Sequence, residues 1–85
     1  MHELSLAMEI CRIAEQRLGE GCPRLTAVGL DVGDDAGVEP ENLRFCLETL
    51  LGQPPFGLAR PVITRLRGDA LRVTYLEVDD GRPDD

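Results

Sequence analysis

The side chains with the richest coordination chemistry lie at the start of the chain, where His2, the single histidine, stands between Met1 and Glu3. An ion held by the Met1 α-amine, the deprotonated amide of His2 and its imidazole Nδ1 closes a five-membered and then a six-membered chelate ring. Such planar nitrogen donation favours Ni(II) or Cu(II). The fourth position falls to the Glu3 amide or carboxylate, or to an acid brought from elsewhere in the fold. Glu39 and the Asp34-Asp35 turn are the candidates for that acid. Methionine aminopeptidase acts where the second residue is small, so the bulk of His2 preserves Met1 and its amine. Taken alone, His2 reads more simply as an ordinary chain-end residue, and the dipeptide needs support from the remaining sequence.

The other reactive groups are scattered. Cys11, Cys22 and Cys46 are odd in number and form no C-x-x-C pair, so neither a disulfide framework nor a zinc knuckle is indicated. Cys11 and Cys46 fall on apolar helix faces and read as packing residues, whereas Cys22, between Gly21 and Pro23, is expected to be the exposed thiol. Asp31, Asp34 and Asp35 lack the alternating oxygen ligands and closing glutamate of a calcium loop and read as a solvated turn. Glu39 with Glu41, and Glu77 with Asp79, have no aromatic-lined pocket beside them, and Ser5 has no fixed base. An enzyme is therefore not expected.

Eighty-five residues with 42% apolar and 29% charged content suit one small packed domain. The net charge of −7 repels phosphate backbones and anionic headgroups, which makes nucleic acid and membrane surfaces poor partners. Glu3, Glu9 and Arg12 interrupt the N-terminal stretch, so neither a signal peptide nor a membrane span is expected. A reducing cytoplasm fits the cysteine usage.

The elements that must position these groups follow from periodicity. Leu6, Ala7, Ile10, Cys11, Ile13, Ala14 and Leu18 form one helical stripe over 4–18, with Gly19 and Gly21 as its stop. Alternation of Val28, Leu30 and Val32 predicts a strand over 25–32, followed by a turn at Gly33-Asp34-Asp35. Pro40 fits a first helical position and Glu41 the positive end of the helix dipole, while Leu43, Cys46, Leu47 and Leu50 carry that helix to about Leu51. Pro61–Arg67 and Leu71–Val78 read as strands joined in a hairpin by Gly68-Asp69-Ala70. Tyr75 and Leu76 break the alternation, which marks either a bulge or a strand buried on both faces. The expected fold is α+β, a three-stranded sheet covered on one face by two helices in the order α-β-α-β-β. It occupies residues 1–79, with 80–85 as a frayed acidic tail.

Three ordered blocks carry a family resemblance. Met1-His2-Glu3-Leu4-Ser5-Leu6-Ala7 resembles the opening of the HypA/HybF nickel metallochaperones of [NiFe]-hydrogenase maturation. Val28 to Gly33 and Gly37 to Phe45 are similar to that family's strand, turn and second-helix pattern, and Leu71 to Val78 to its closing strand. The resemblance implies transient Ni(II) binding at the Met1 amine, His2 and Glu3, with Glu39 matching an acid associated with the nickel site. It also implies transfer with a HypB-type GTPase towards the hydrogenase large subunit. The family carries a zinc domain with two C-x-x-C motifs between its last two strands, where this chain has only Arg67-Gly68-Asp69-Ala70, so no zinc site is expected. Closing that excursion with a short turn lowers its loop entropy cost. A metal-free paralogue that docks on a full-length maturation factor is the rival reading, and an exposed sheet edge offers a route to a homodimer.

Overall fold

The computed structural model describes residues 3–79, so Met1, His2 and the expected tail at 80–85 lie outside the described residues. Helix α1 spans Glu3–Leu18 and buries Ala7, Ile10, Cys11 and Ala14, the i, i+3, i+4, i+7 pattern of one helical face. Gly19, at φ +52°, ends it and opens a 3-10 turn over Gly19–Arg24. Strand β1 is Leu25–Gly33, helix α2 is Pro40–Leu51, strand β2 is Arg60–Leu66 and strand β3 is Leu71–Val78. This is the expected α+β order. Both helices contribute their buried faces to one core with β1. Leu25, Val28, Leu30, Val32, Leu43, Leu47 and Leu51 are nearly solvent-free, each stabilising by about 1.5–3 kcal/mol relative to an exposed side chain.

The hairpin expectation is corrected by the sheet order β2-β1-β3. β2 lies parallel to β1, with Leu30 opposite Ile63, and β3 lies antiparallel on the other side, with Leu30 opposite Val73. Because α2 carries the chain back along the sheet, β2 starts at the same end as β1 and pairs with it as a parallel neighbour. β1 takes the centre because it is the apolar strand, buried at seven of nine positions, whereas β2 and β3 alternate towards solvent. The 67–70 connector therefore passes over the end of β1, bridging two strand spacings of about 4.8 Å each. It is held there by backbone bonds from Gly33 N to Ala70 O (2.6 Å), Asp34 N to Leu66 O (2.8 Å) and Asp35 N to Gly68 O (2.8 Å). A Cβ on Gly33 would overlap the Gly68 carbonyl oxygen, so only glycine admits this crossing.

The break in alternation near Tyr75 is a bulge. Gly29 pairs with Tyr75 and Leu30 with Val73, leaving Thr74 as the extra residue. The bulge sets Leu71, Val73 and Leu76 against the core, while Tyr75 turns its ring over Gly29. The alternative of burial on both faces is excluded, since Thr74, Tyr75, Glu77 and Val78 are exposed. A matching irregularity at Thr26 in β1 keeps both Leu25 and Val28 in the core. There Thr26 Oγ1 donates to the Glu77 carbonyl (3.0 Å).

Candidate metal centre

The start of α1 and the start of α2 meet, and their polar groups interlock. Glu39 is the N-cap of α2, in extended conformation, and its carboxylate accepts from the Asn42 amide N–H at 2.5 Å. Pro40 follows at the first helical position, where its missing N–H costs nothing. Val38 before the cap and Leu43 in the first turn are both buried in the core, the two positions of a hydrophobic staple that fixes how the chain enters the helix. Onto this fixed start comes Glu3 from α1. One of its carboxylate oxygens accepts from the Glu39 backbone N–H (3.1 Å) and the other from Asn42 Nδ2 (3.0 Å). The amides of Glu39, of Glu3 itself and of the Asn42 side chain hold the Glu3 carboxyl below its ordinary value of 4.5. Two acids that sequence reading singled out separately, Glu3 and Glu39, are thus brought into direct contact from 36 residues apart. Met1 and His2 immediately precede Glu3 in the chain but lie outside the described residues.

The remaining candidates are placed elsewhere. Asp34 accepts a hydrogen bond from Arg65 at 3.1 Å and Asp31 from Arg72 at 3.0 Å, so the Asp34-Asp35 turn is tied to the strand connector and not to Glu3. Cys22 is 1% exposed, which corrects its expected exposure: the 3-10 turn folds its side chain into the core. Burial also pushes the Cys11 thiol up to about 11 and raises that of Cys22, so both stay protonated at neutral pH. Among the described residues, no three metal-ligating side chains gather into a metal-binding group. Sequence reading did not single out Asn42. The signal was available in its spacing, three residues beyond the N-cap Glu39, the position from which a side chain reaches back to the start of a helix.

The described residues thus form an α+β fold that joins two acids and an amide at the starts of its two helices, with Cys11 and Cys22 buried and Cys46 half-buried. The chain matches the model described as "Hydrogenase/urease nickel incorporation, metallochaperone, hypA" over residues 1–71, and it belongs to the HypA family. It is 39% identical over 64 residues to the hydrogenase maturation factor HypA of Chlorobaculum parvum, covering 74% of this chain and 57% of that protein. Identity to the factor of the same name from Geobacter metallireducens is 37% over 68 residues, covering 80% and 60% of the two chains. That from Geotalea uraniireducens is 36% identical over 67 residues, covering 79% and 59%. The aligned region thus spans less than two thirds of each of these relatives. No helix among the described residues is long and apolar enough to cross a membrane.

Proposed function

We propose that this chain carries Ni(II) in hydrogenase maturation, binding it at the N-terminus through the Met1 amine and His2, with Glu3 and Glu39 beside the ion. Residues 1–79 form the nickel-binding domain in this reading. The observation that supports it is the hydrogen bond from the Glu39 backbone N–H to the carboxylate of Glu3, the residue that follows Met1-His2 in the sequence. Nitrogen donors on a chain end exchange faster than a closed thiolate cage, which suits an ion that must be handed on. The handover takes place by protein contact in the cytoplasm, with a HypB-type GTPase and the hydrogenase large subunit, or a full-length maturation factor, as partners. Catalysis of a covalent reaction forms no part of the role.

Calorimetric titration of Ni(II) into protein with a native Met1 terminus, beside His2→Ala and a form extended by a tag before Met1, tests this. One-to-one binding that disappears in both altered proteins is expected. Binding indifferent to both changes would place the ion elsewhere, and absence of binding in all three would favour the metal-free docking module.

A further inference from the structure

The polar junction between the starts of α1 and α2 has three members among the described residues, and the third has no ligand chemistry of its own. An asparagine amide is a weak donor to a divalent transition metal, yet Asn42 touches both acids, giving its backbone N–H to Glu39 and its side-chain Nδ2 to Glu3. Both oxygens of Glu3 are thereby engaged, one by Asn42 and one by the Glu39 amide, whereas Glu39 uses only Oε2 among the described residues. The two acids are therefore not equivalent. Each Glu3 oxygen is held in direction by the N–H bond it accepts, while Glu39 can turn its Oε1 outward without losing its cap.

We infer that Asn42 is a positioning residue of the nickel site: it clamps the Glu3 carboxylate against the start of α2, so that the first turn of α1 is fixed there and Glu39 supplies the acid that faces the ion. This rests on the nickel-binding reading above and assigns different work to its two acids. The arrangement resembles the general way in which groups outside the ligand set orient a metal's ligands and change its affinity without touching it.

The clamp is a donor facing an acceptor, which makes it reversible by exchange. Asn42→Asp sets two carboxylates against each other and breaks the bond. Adding Glu3→Gln puts an amide donor opposite the new carboxylate and rebuilds the bond with donor and acceptor exchanged, while the side-chain carbonyl oxygen left at position 3 still accepts from the Glu39 N–H. An acid in the first turn of a helix is well tolerated, so neither variant threatens α2. Coulomb attraction alone would make the extra negative charge of Asn42→Asp tighten binding of a dication, so a loss of affinity reports position and not charge.

The experiment is Ni(II) calorimetry and the ligand-field absorption spectrum of the wild-type chain, His2→Ala, Asn42→Asp and the Glu3→Gln, Asn42→Asp double variant, with melting temperatures recorded alongside. Asn42→Asp is expected to weaken Ni(II) roughly tenfold or more, and the double variant to recover most of that loss with the wild-type spectrum. Unchanged or tighter binding in Asn42→Asp, or no recovery in the double variant, overturns the clamp while His2-dependent binding in the wild type still stands. Absence of wild-type binding, or binding unaffected by His2→Ala, removes the nickel reading and the clamp together.

Discussion

Two places in this domain join segments that are far apart in sequence, and they do so with different materials. At the starts of the helices, Glu3, Glu39 and Asn42 are joined through carboxylates and a side-chain amide in positions open to solvent. At the far end of β1, the connector between β2 and β3 is joined through main-chain bonds to Gly33, Asp34 and Asp35. The first junction depends on which side chains are present, and each bond competes with water, so its net contribution is small and it can open. The second depends chiefly on main-chain bonds and on the absence of a side chain at Gly33, and it fixes where β3 can lie. A site that must take up and release an ion suits the first kind of junction, while a sheet that must keep its order suits the second.

The sharpest way to break this contrast is Gly33→Ala. Its Cβ would run into the Gly68 backbone, and backbone cannot rotate aside, so a loss of roughly 3 kcal/mol in urea unfolding is expected. The same change at Gly29 meets the Tyr75 ring, but Tyr75 is 44% exposed and can swing outward. Gly29→Ala should therefore cost much less, and Gly29→Ala with Tyr75→Ala less again. Equal losses at the two glycines would show that the crossing is not the rigid junction.

A smaller effect is expected at the helix junction. Glu39→Ala removes the N-cap acceptor of α2 and should lower stability by about 1 kcal/mol, while weakening Ni(II) if Glu39 faces the ion. An intact affinity at reduced stability would leave Glu39 with the cap alone.

The smallest effect concerns acid. The folded state holds the Glu3 carboxyl below its ordinary 4.5, so the junction's contribution is complete above that value and fades as pH falls through the lowered one. The wild-type chain should consequently lose stability more steeply below pH 4.5 than Glu3→Gln does. Parallel acid limbs for the two proteins would mean that these bonds do not favour the charged carboxylate.

The legible part of this molecule was local. Helix α2 follows from Pro40, Glu41 and the Leu43-Leu47 spacing, because capping and burial of one face operate within a few turns of chain. Strand β3 is read with its observed bounds, and the misplaced alternation at Tyr75 and Leu76 carried the bulge at Thr74 in plain view. The acids Glu3 and Glu39 could be named from type and position. Their contact could not, because it depends on how α1 lies against α2. Cys22 was misjudged for a related reason: Gly21 and Pro23 signal a loop, and nothing local says that a 3-10 turn will point the side chain between them inward.

The sequence by itself determined the kinds and order of the elements, the apolar faces that build the core and the family to which the chain belongs. Each of these is written in spacings or blocks of neighbouring residues. Tertiary structure alone decided that β1 lies between β2 and β3, that Gly33 is the point over which the chain crosses, and that Asn42 joins the two acids. These are choices among arrangements with similar local energies, settled when the most apolar strand takes the only position flanked on both sides and the helices close over it.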